Sequence, residues 1–202
     1  MSAARGAHSA RSGLWPTYAT SPWLSRALLL LCVCLSLVVG ACSAGSNLRA
    51  YRDPSGAFAF AYPNGMVAVN LGPGKGPVVL LRDLVYETEN VSLMIAPFDK
   101  GETIADLGSP AEVGQLVAEK IIAPEGSGRS AKLLAAEAFE RQEHPYYLLE
   151  YQTDMGSQLR HEVVTVTVRH HRLYTLTAST QESRWPQVQA AFRNVGRSLN
   201  VS

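Results

Sequence analysis

Four strand-like segments follow one another in the second half of the chain, and this constrains the fold more than any other feature. They cover residues 132–141, 146–153, 160–168 and 173–180. The connections are too short to hold a crossover helix, so each strand has to run antiparallel to the one before it. The segments therefore predict an antiparallel meander within an α+β fold, and they exclude a doubly wound parallel sheet.

One amphipathic helix is predicted before this meander in the sequence, and another after it. The first occupies residues 110–122, with Ser109 as its N-cap and Pro110 in its first turn. Its apolar face consists of Val113, Leu116, Val117 and Ile121. The second covers residues 185–199, and its apolar residues are spaced 3, 4, 3 and 4 apart: Trp185, Val188, Phe192, Val195 and Leu199. Such stripes predict helices that pack against the sheet.

The segment before the first helix predicts shorter strands. Phe58, Phe60 and Tyr62 alternate with alanine after a turn that contains Asp-Pro and Gly, which is typical of a hairpin with a half-buried strand. Residues 78–81 and 91–95 predict two further short strands.

The first 41 residues have the pattern of a secretory signal. An uncharged run of 15 residues, 27–41, follows Arg26 and ends in small residues, whereas a bilayer span needs about 20. Cys42 follows Val-Gly-Ala, which resembles a bacterial lipobox, so we expect it to carry a lipid anchor that holds the protein to a membrane. The alternative is an ordinary signal peptide that happens to precede a cysteine. We therefore predict a signal peptide at 1–41, a lipidated tether at 42–48 and a single folded domain at 49–202.

The charge balance excludes a basic nucleic-acid-binding module. The chain has 18 basic and 17 acidic residues, but residues 1–41 contain three Arg and no acid. The remaining 161 residues therefore carry 15 bases and 17 acids, a net charge of −2. Nucleic-acid binding needs clustered Lys and Arg, so we expect no nucleic-acid partner.

The common signatures of an enzyme are absent from the sequence. There is no G-x-S-x-G nucleophile motif, and no cysteine follows Cys42. His161 begins a stretch like the zinc-protease H-E-x-x-H, but Thr165 replaces the second histidine, and the stretch lies in a predicted strand. Two carboxylate pairs are expected on the solvated surface: Glu87 with Glu89 and Glu140 with Glu143.

A divalent metal site is the candidate that the residues themselves support. If His170 and His171 form a two-residue turn, the strand register places His161 opposite Thr180. Glu182 then lies diagonally on the same face, within about 7–8 Å, where one ion could bridge it to His161. The alternative is a strand-edge histidine and an acidic residue that favours the helix N-terminus. The two turn histidines could also collect zinc adventitiously.

Several short motifs resemble the PsbP family of extrinsic photosystem II proteins. They are YRDPSGAFAFAYP, VSLMIAP, IADLGSPAEVG, YYLLEY, HEVVTVTV, RLYTLTAST and SRWP, and they occur in the family's order between residues 49 and 201. Each motif alone is weak, but their combination and order are specific. The predicted lipid anchor resembles the cyanobacterial branch of this family, whose members are lipoproteins in the thylakoid lumen.

The resemblance implies an α/β/α sandwich around a central antiparallel sheet. It also implies a non-enzymatic role at the oxygen-evolving, lumenal side of photosystem II, with photosystem II lumenal subunits as partners and no required cofactor.

Family members carry proposed metal ligands at the positions of His161 and Glu182, with calcium, manganese or zinc as the expected ion. Plant members of the family carry an N-terminal segment that helps to retain calcium and chloride, but here only residues 42–48 are expected before the domain. The resemblance therefore favours a role in photosystem II assembly over a direct role in ion retention. We expect a monomer. The alternative is a metal- or small-ligand-binding lipoprotein on the same fold.

Overall fold

A computed structural model of the chain describes residues 47–72 and 76–202. The predicted signal peptide, Cys42 and most of the predicted tether lie outside the described residues. In chain order the strands are β1 (Leu48–Arg52), β2 (Phe58–Pro63), β3 (Met66–Ala68), β4 (Val79–Asp83), β5 (Asn90–Pro97), β6 (Ser130–Arg141), β7 (His144–Asp154), β8 (Leu159–Arg169), β9 (Arg172–Gln181) and β10 (Asn200–Val201). The α-helices are α1 (Pro110–Val117) and α2 (Trp185–Ser198), with 3-10 turns at Ile104–Leu107 and Glu182–Arg184.

The strands form two antiparallel sheets. The large sheet has seven strands in the order β3-β4-β5-β9-β8-β7-β6, and the small one has the order β1-β2-β10. The predicted meander is confirmed, because β6 to β9 are neighbours in sequence order. The predicted hairpin is also confirmed, since β1 pairs with β2.

Two-residue turns set the register of the meander. Residues 142–143 and 170–171 join β6 to β7 and β8 to β9, with φ between 51° and 60° at all four positions. This conformation twists in the same sense as the strands it joins. The predicted pairing of His161 with Thr180 is confirmed, and it brings the start of β8 beside the end of β9.

Both faces of the large sheet are covered. On one face α2 and the small sheet bury Phe58, Phe60, Phe192, Val195 and Leu199 against Leu93, Val163 and Leu176. On the other face α1 and the preceding 3-10 turn bury Ile104, Val113 and Val117 against Leu149, Val164 and Val166. The predicted α+β class and the α/β/α sandwich around a central antiparallel sheet are confirmed.

Helix α1 begins where the sequence predicts but ends irregularly. Ser109 and Glu112 form a capping box, in which the Ser109 N–H donates to Glu112 Oε2 at 2.8 Å. After Val117 the chain continues as a π-helical turn, Ala118–Ile122. The prediction that Leu116 shares the buried face is wrong, because its side chain is 43% exposed.

Helix α2 approaches the sheet most closely at Gly196. The Thr165 hydroxyl donates to the Gly196 carbonyl at 2.8 Å. A Cβ at Gly196 would lie 2.6 Å from Leu148 Cδ1, 2.9 Å from Thr165 Oγ1 and 3.1 Å from Val163 Cγ1. Glycine is therefore required here by the close approach of the helix to strands β7 and β8.

Gly196→Ala is expected to destabilise the protein even though alanine is the better helix former. The added methyl group has to displace side chains in a packed core, which costs about 1–3 kcal/mol and outweighs a propensity gain of about 1 kcal/mol. Urea denaturation measures the effect. Asn194→Ala, at an exposed position of the same helix, is the control and should stabilise slightly; a G196A variant as stable as the wild type would contradict the packing described here.

Candidate functional site

The two residues predicted as metal ligands lie in contact at one end of the large sheet. His161, near the start of β8, is 3% exposed. Its Nδ1 lies 3.3 Å from Oε2 and 3.4 Å from Oε1 of Glu182, the first residue of the 3-10 turn before α2. The antiparallel pairing of β8 with β9 brings them together, because β9 ends directly before Glu182.

A second carboxylate, which the sequence interpretation did not single out, faces the other ring nitrogen. Glu150 on β7 is 6% exposed, and its Oε2 lies 3.6 Å from His161 Nε2. Arg193 on α2 donates from Nε and Nη2 to the two carboxylate oxygens of Glu150, at 2.6 and 2.9 Å. His161 therefore lies between two carboxylates, one of which is paired with an arginine.

The surroundings of Glu150 keep its carboxyl group ionised. Burial alone would raise its pKa, but the close approach of His161 and the hydrogen bonds and charge of Arg193 outweigh burial and lower the pKa to about 2. The acidic residue stands within the apolar stretch YYLLEY on β7. An acidic residue within so apolar a strand is a sequence signal that could have indicated a buried ion pair, but the sequence interpretation did not use it.

Trp185, the first residue of α2, covers the His161 side chain. Its ring is stacked on the His161 imidazole, with centroids 3.6 Å apart and an angle of 9° between the planes. The Arg193 guanidinium lies 5.4 Å from the centre of the Trp185 ring, within cation–π range. Helix α2 is thus attached to β8 by an aromatic stack at its first residue and to β7 by a double hydrogen bond from its third turn.

The expectation that Glu89 lies on the surface is wrong. Glu89 is 4% exposed, and its Oε1 accepts hydrogen bonds from Arg184 Nε at 2.9 Å and from the Thr180 hydroxyl at 3.4 Å. Arg184 also lies over the Tyr86 ring, 3.5 Å from its centre. Arg184 comes from the turn before α2, 95 residues further along the chain, so the local sequence around Glu89 held no signal for the pair.

The opposite face of the sheet carries a buried arginine at the same end. Arg160 is 7% exposed and donates from Nε and Nη2 to the Ser179 hydroxyl, and from Nη2 to the Thr88 carbonyl. The Ser179 hydroxyl in turn donates to Glu162 at 3.1 Å. Burial lowers the pKa of Arg160, and the charge of Glu162 opposes this change.

The side chains at this end of the sheet offer two ligands to a divalent ion, His161 and Glu182. His161 Nδ1 and Glu182 could bind the ion, with water completing its shell, while Glu150 faces the other ring nitrogen at 3.6 Å. Both oxygens of Glu150 are already engaged by Arg193. Within residues 47–72 and 76–202, no group of three or more His, Cys, Asp or Glu side chains is arranged to hold a metal.

Comparison with known proteins identifies the family. The profile of the PsbP family matches residues 46–201. The chain belongs to the PsbP family. CyanoP of Thermosynechococcus vestitus is 37% identical over 171 residues, which cover 82% of this chain and 92% of that protein.

Solved structures of related proteins agree with this PsbP-family fold. The solution structure of CyanoP from Synechocystis sp. PCC 6803 is 34% identical with a TM-score of 0.64, and the match covers 82% of this chain and 99% of that one. The Saccharomyces cerevisiae Ran-binding protein Mog1p, 10% identical with a TM-score of 0.55, shares the fold alone. The resemblance read from the sequence motifs is confirmed. Within the described residues of this protein, no helix is long and apolar enough to span a membrane.

Glu150→Gln is expected to lower the free energy of unfolding at pH 7 by about 2 kcal/mol, because it leaves Arg193 and His161 without their charged partner. The pKa of Glu150 is depressed in the folded state, so its contribution is fully present above its ordinary pKa of 4.5 and is lost as the pH falls towards 2. The difference between wild type and variant should therefore shrink across that window in urea denaturation.

Glu137→Gln is the matched control for this measurement. Glu137 pairs with Arg197, also on α2, but both side chains are about half exposed. Its loss should change stability by less than about 1 kcal/mol. A difference between wild type and E150Q that stays constant from pH 7 to pH 2 would show that the Glu150 carboxylate is not stabilised as described.

Proposed function

We propose that this protein is a non-enzymatic partner of photosystem II on the lumenal side of the thylakoid membrane. In this proposal a lipid on Cys42 holds it at the membrane, and the folded domain contacts lumenal photosystem II subunits near the oxygen-evolving side. The observation that carries the proposal is the PsbP-family match over residues 46–201, together with 37% identity to CyanoP over 92% of that protein's length.

A role during assembly suits the chain better than direct ion retention. Strand β1 begins at Leu48, so five residues separate it from Cys42. With Cys42 as the proposed first residue of the mature protein, this interval leaves no additional N-terminal segment to reach the ions of the oxygen-evolving side. The proposal is therefore an assembly or stabilising protein that docks through its folded domain.

The pairing of the buried charges supports a binding protein over an enzyme. Glu150 is engaged by Arg193 and Glu89 by Arg184, while Arg160 bonds to a serine hydroxyl and a backbone carbonyl. Catalytic acids and bases usually face a substrate cavity with a perturbed pKa near the working pH. Among the carboxylates of residues 47–72 and 76–202, Glu150 has the large pKa shift, and a structural ion pair holds it ionised.

An affinity pull-down from solubilised thylakoids tests this function. The full chain, tagged at its C-terminus and expressed in a cyanobacterium, should co-purify with photosystem II reaction-centre subunits. Cys42→Ser with the same tag is the control, and its loss from the membrane fraction should reduce the co-purified photosystem II about tenfold. Reaction-centre subunits no more abundant than in an untagged strain would refute the docking role.

The contact between His161 and Glu182 favours one second function, divalent-cation binding. A site with two protein ligands is expected to be weak and exchangeable. Calorimetric titration with zinc or manganese should show at least tenfold weaker binding for His161→Ala and Glu182→Gln than for wild type. The double variant His170→Ala, His171→Ala removes the exposed turn histidines and should leave this affinity unchanged; equal affinities for wild type and H161A would discard the site.

A further inference from the structure

A small apolar cavity opens beside α1, on the face of the sheet opposite to His161 and Glu150. Its volume is about 280 Å³, and its walls include the buried side chains of Ile104, Val113, Val117 and Val166. These walls belong to the core that holds α1 on the sheet. The cavity is therefore preformed by the packing of the domain and needs no rearrangement to exist.

The residue that departs from the sequence pattern lies at this cavity. Leu116 falls on the predicted apolar face of α1, yet it is 43% exposed and lines the opening. The adjacent π-helical turn, Ala118–Ile122, brings Lys120 and Ile121 to the same opening. Failures of local sequence rules and π-helical turns both occur preferentially at functional sites.

The rim of the cavity is positively charged, although the domain as a whole is slightly acidic. Lys100 and Lys120 are exposed at the rim, and Asp99 is the acidic residue among the lining side chains. An apolar cavity with two lysines at its mouth favours an occupant that combines an apolar group with negative charge. A basic occupant would face two repelling lysines and one attracting acid, Asp99.

We propose that this cavity binds one large apolar side chain of an acidic protein segment, and that it is the docking point for the lumenal partner. The inference rests on the function proposed above and adds the surface and the chemistry of the contact. The cavity lies just below the volume range of small-molecule sites, about 300–1,000 Å³, and its size suits a single anchoring side chain. Buried anchors of this kind supply most of the affinity in protein interfaces.

Exposed-residue variants test the docking point in the same thylakoid pull-down. Leu116→Asp and the double variant Lys100→Glu, Lys120→Glu should each reduce the recovery of photosystem II subunits at least tenfold. The matched controls are Leu159→Asp, at a leucine that is 46% exposed, and Lys132→Glu, at an exposed lysine on β6; both should keep wild-type recovery. Thermal unfolding checks that each variant is folded.

The outcomes separate the inference from the function on which it rests. Wild-type recovery by L116D and by the lysine variant overturns the docking point and leaves the proposed function in place. If the wild-type chain itself recovers no photosystem II subunit, the proposed function fails, and a direct titration of the cavity decides the inference.

That titration follows the methyl NMR signals of Val113, Val117 and Val166 in the full chain. The probes are the peptide acetyl-Glu-Phe-Glu-amide, its counterpart acetyl-Lys-Phe-Lys-amide, and decanoate. Saturable shifts with the acidic peptide and not with the basic one support the inference. Equal or absent responses to the two peptides overturn it. A stronger response to decanoate also overturns it, because the cavity would then be a site for small amphiphiles.

Discussion

Strand β8 is buried from both sides, and the arrangement of the rest of the molecule follows from this constraint. Between Arg160 and Val168 every residue except Glu162 is buried. A strand of this kind needs a layer of apolar side chains on each face. The chain supplies one layer before the meander, with α1 and its preceding turn, and the other around it, with β1, β2 and the terminal helix α2. Because the turns between β6, β7, β8 and β9 are short, each of these strands pairs with the next one in the sequence.

Charged side chains replace the apolar core at the end of the sheet where α2 begins. A buried charge is costly unless it is paired and hydrogen-bonded. Glu150 is paired with Arg193 in the middle of α2, and Glu89 is paired with Arg184 in the turn before α2. Arg160, on the other face of the sheet, is hydrogen-bonded to neutral groups. Together with the stack of Trp185 on His161, these pairs attach the terminal helix to the sheet. We therefore interpret the face that α2 covers as the structural one, and the proposed docking cavity lies on the opposite face, beside α1.

The sequence predicted the features that local physics determines. The strands of the meander, its two-residue turn at 170–171 and the contact of His161 with Thr180 follow from periodicity and turn length, and the structure confirms them. The pairs that join Glu89 and Glu150 to α2 could not be predicted, because they depend on where a distant helix lands on the sheet. The apolar spacing of α1 predicted a buried Leu116, but spacing alone cannot tell how far the neighbouring layer extends.

A double-mutant cycle on Glu150 and Arg193 tests most directly whether the charged cluster holds α2 to the sheet. Glu150→Gln, Arg193→Gln and the double variant are compared with wild type by urea denaturation at pH 7. If the pair acts as described, the coupling energy should exceed about 1 kcal/mol, since residues in one hydrogen-bond or salt-bridge network couple by about 0.5–3 kcal/mol. A coupling energy near zero, with additive effects of the two substitutions, would show that the helix is held by its apolar contacts alone and would contradict this account.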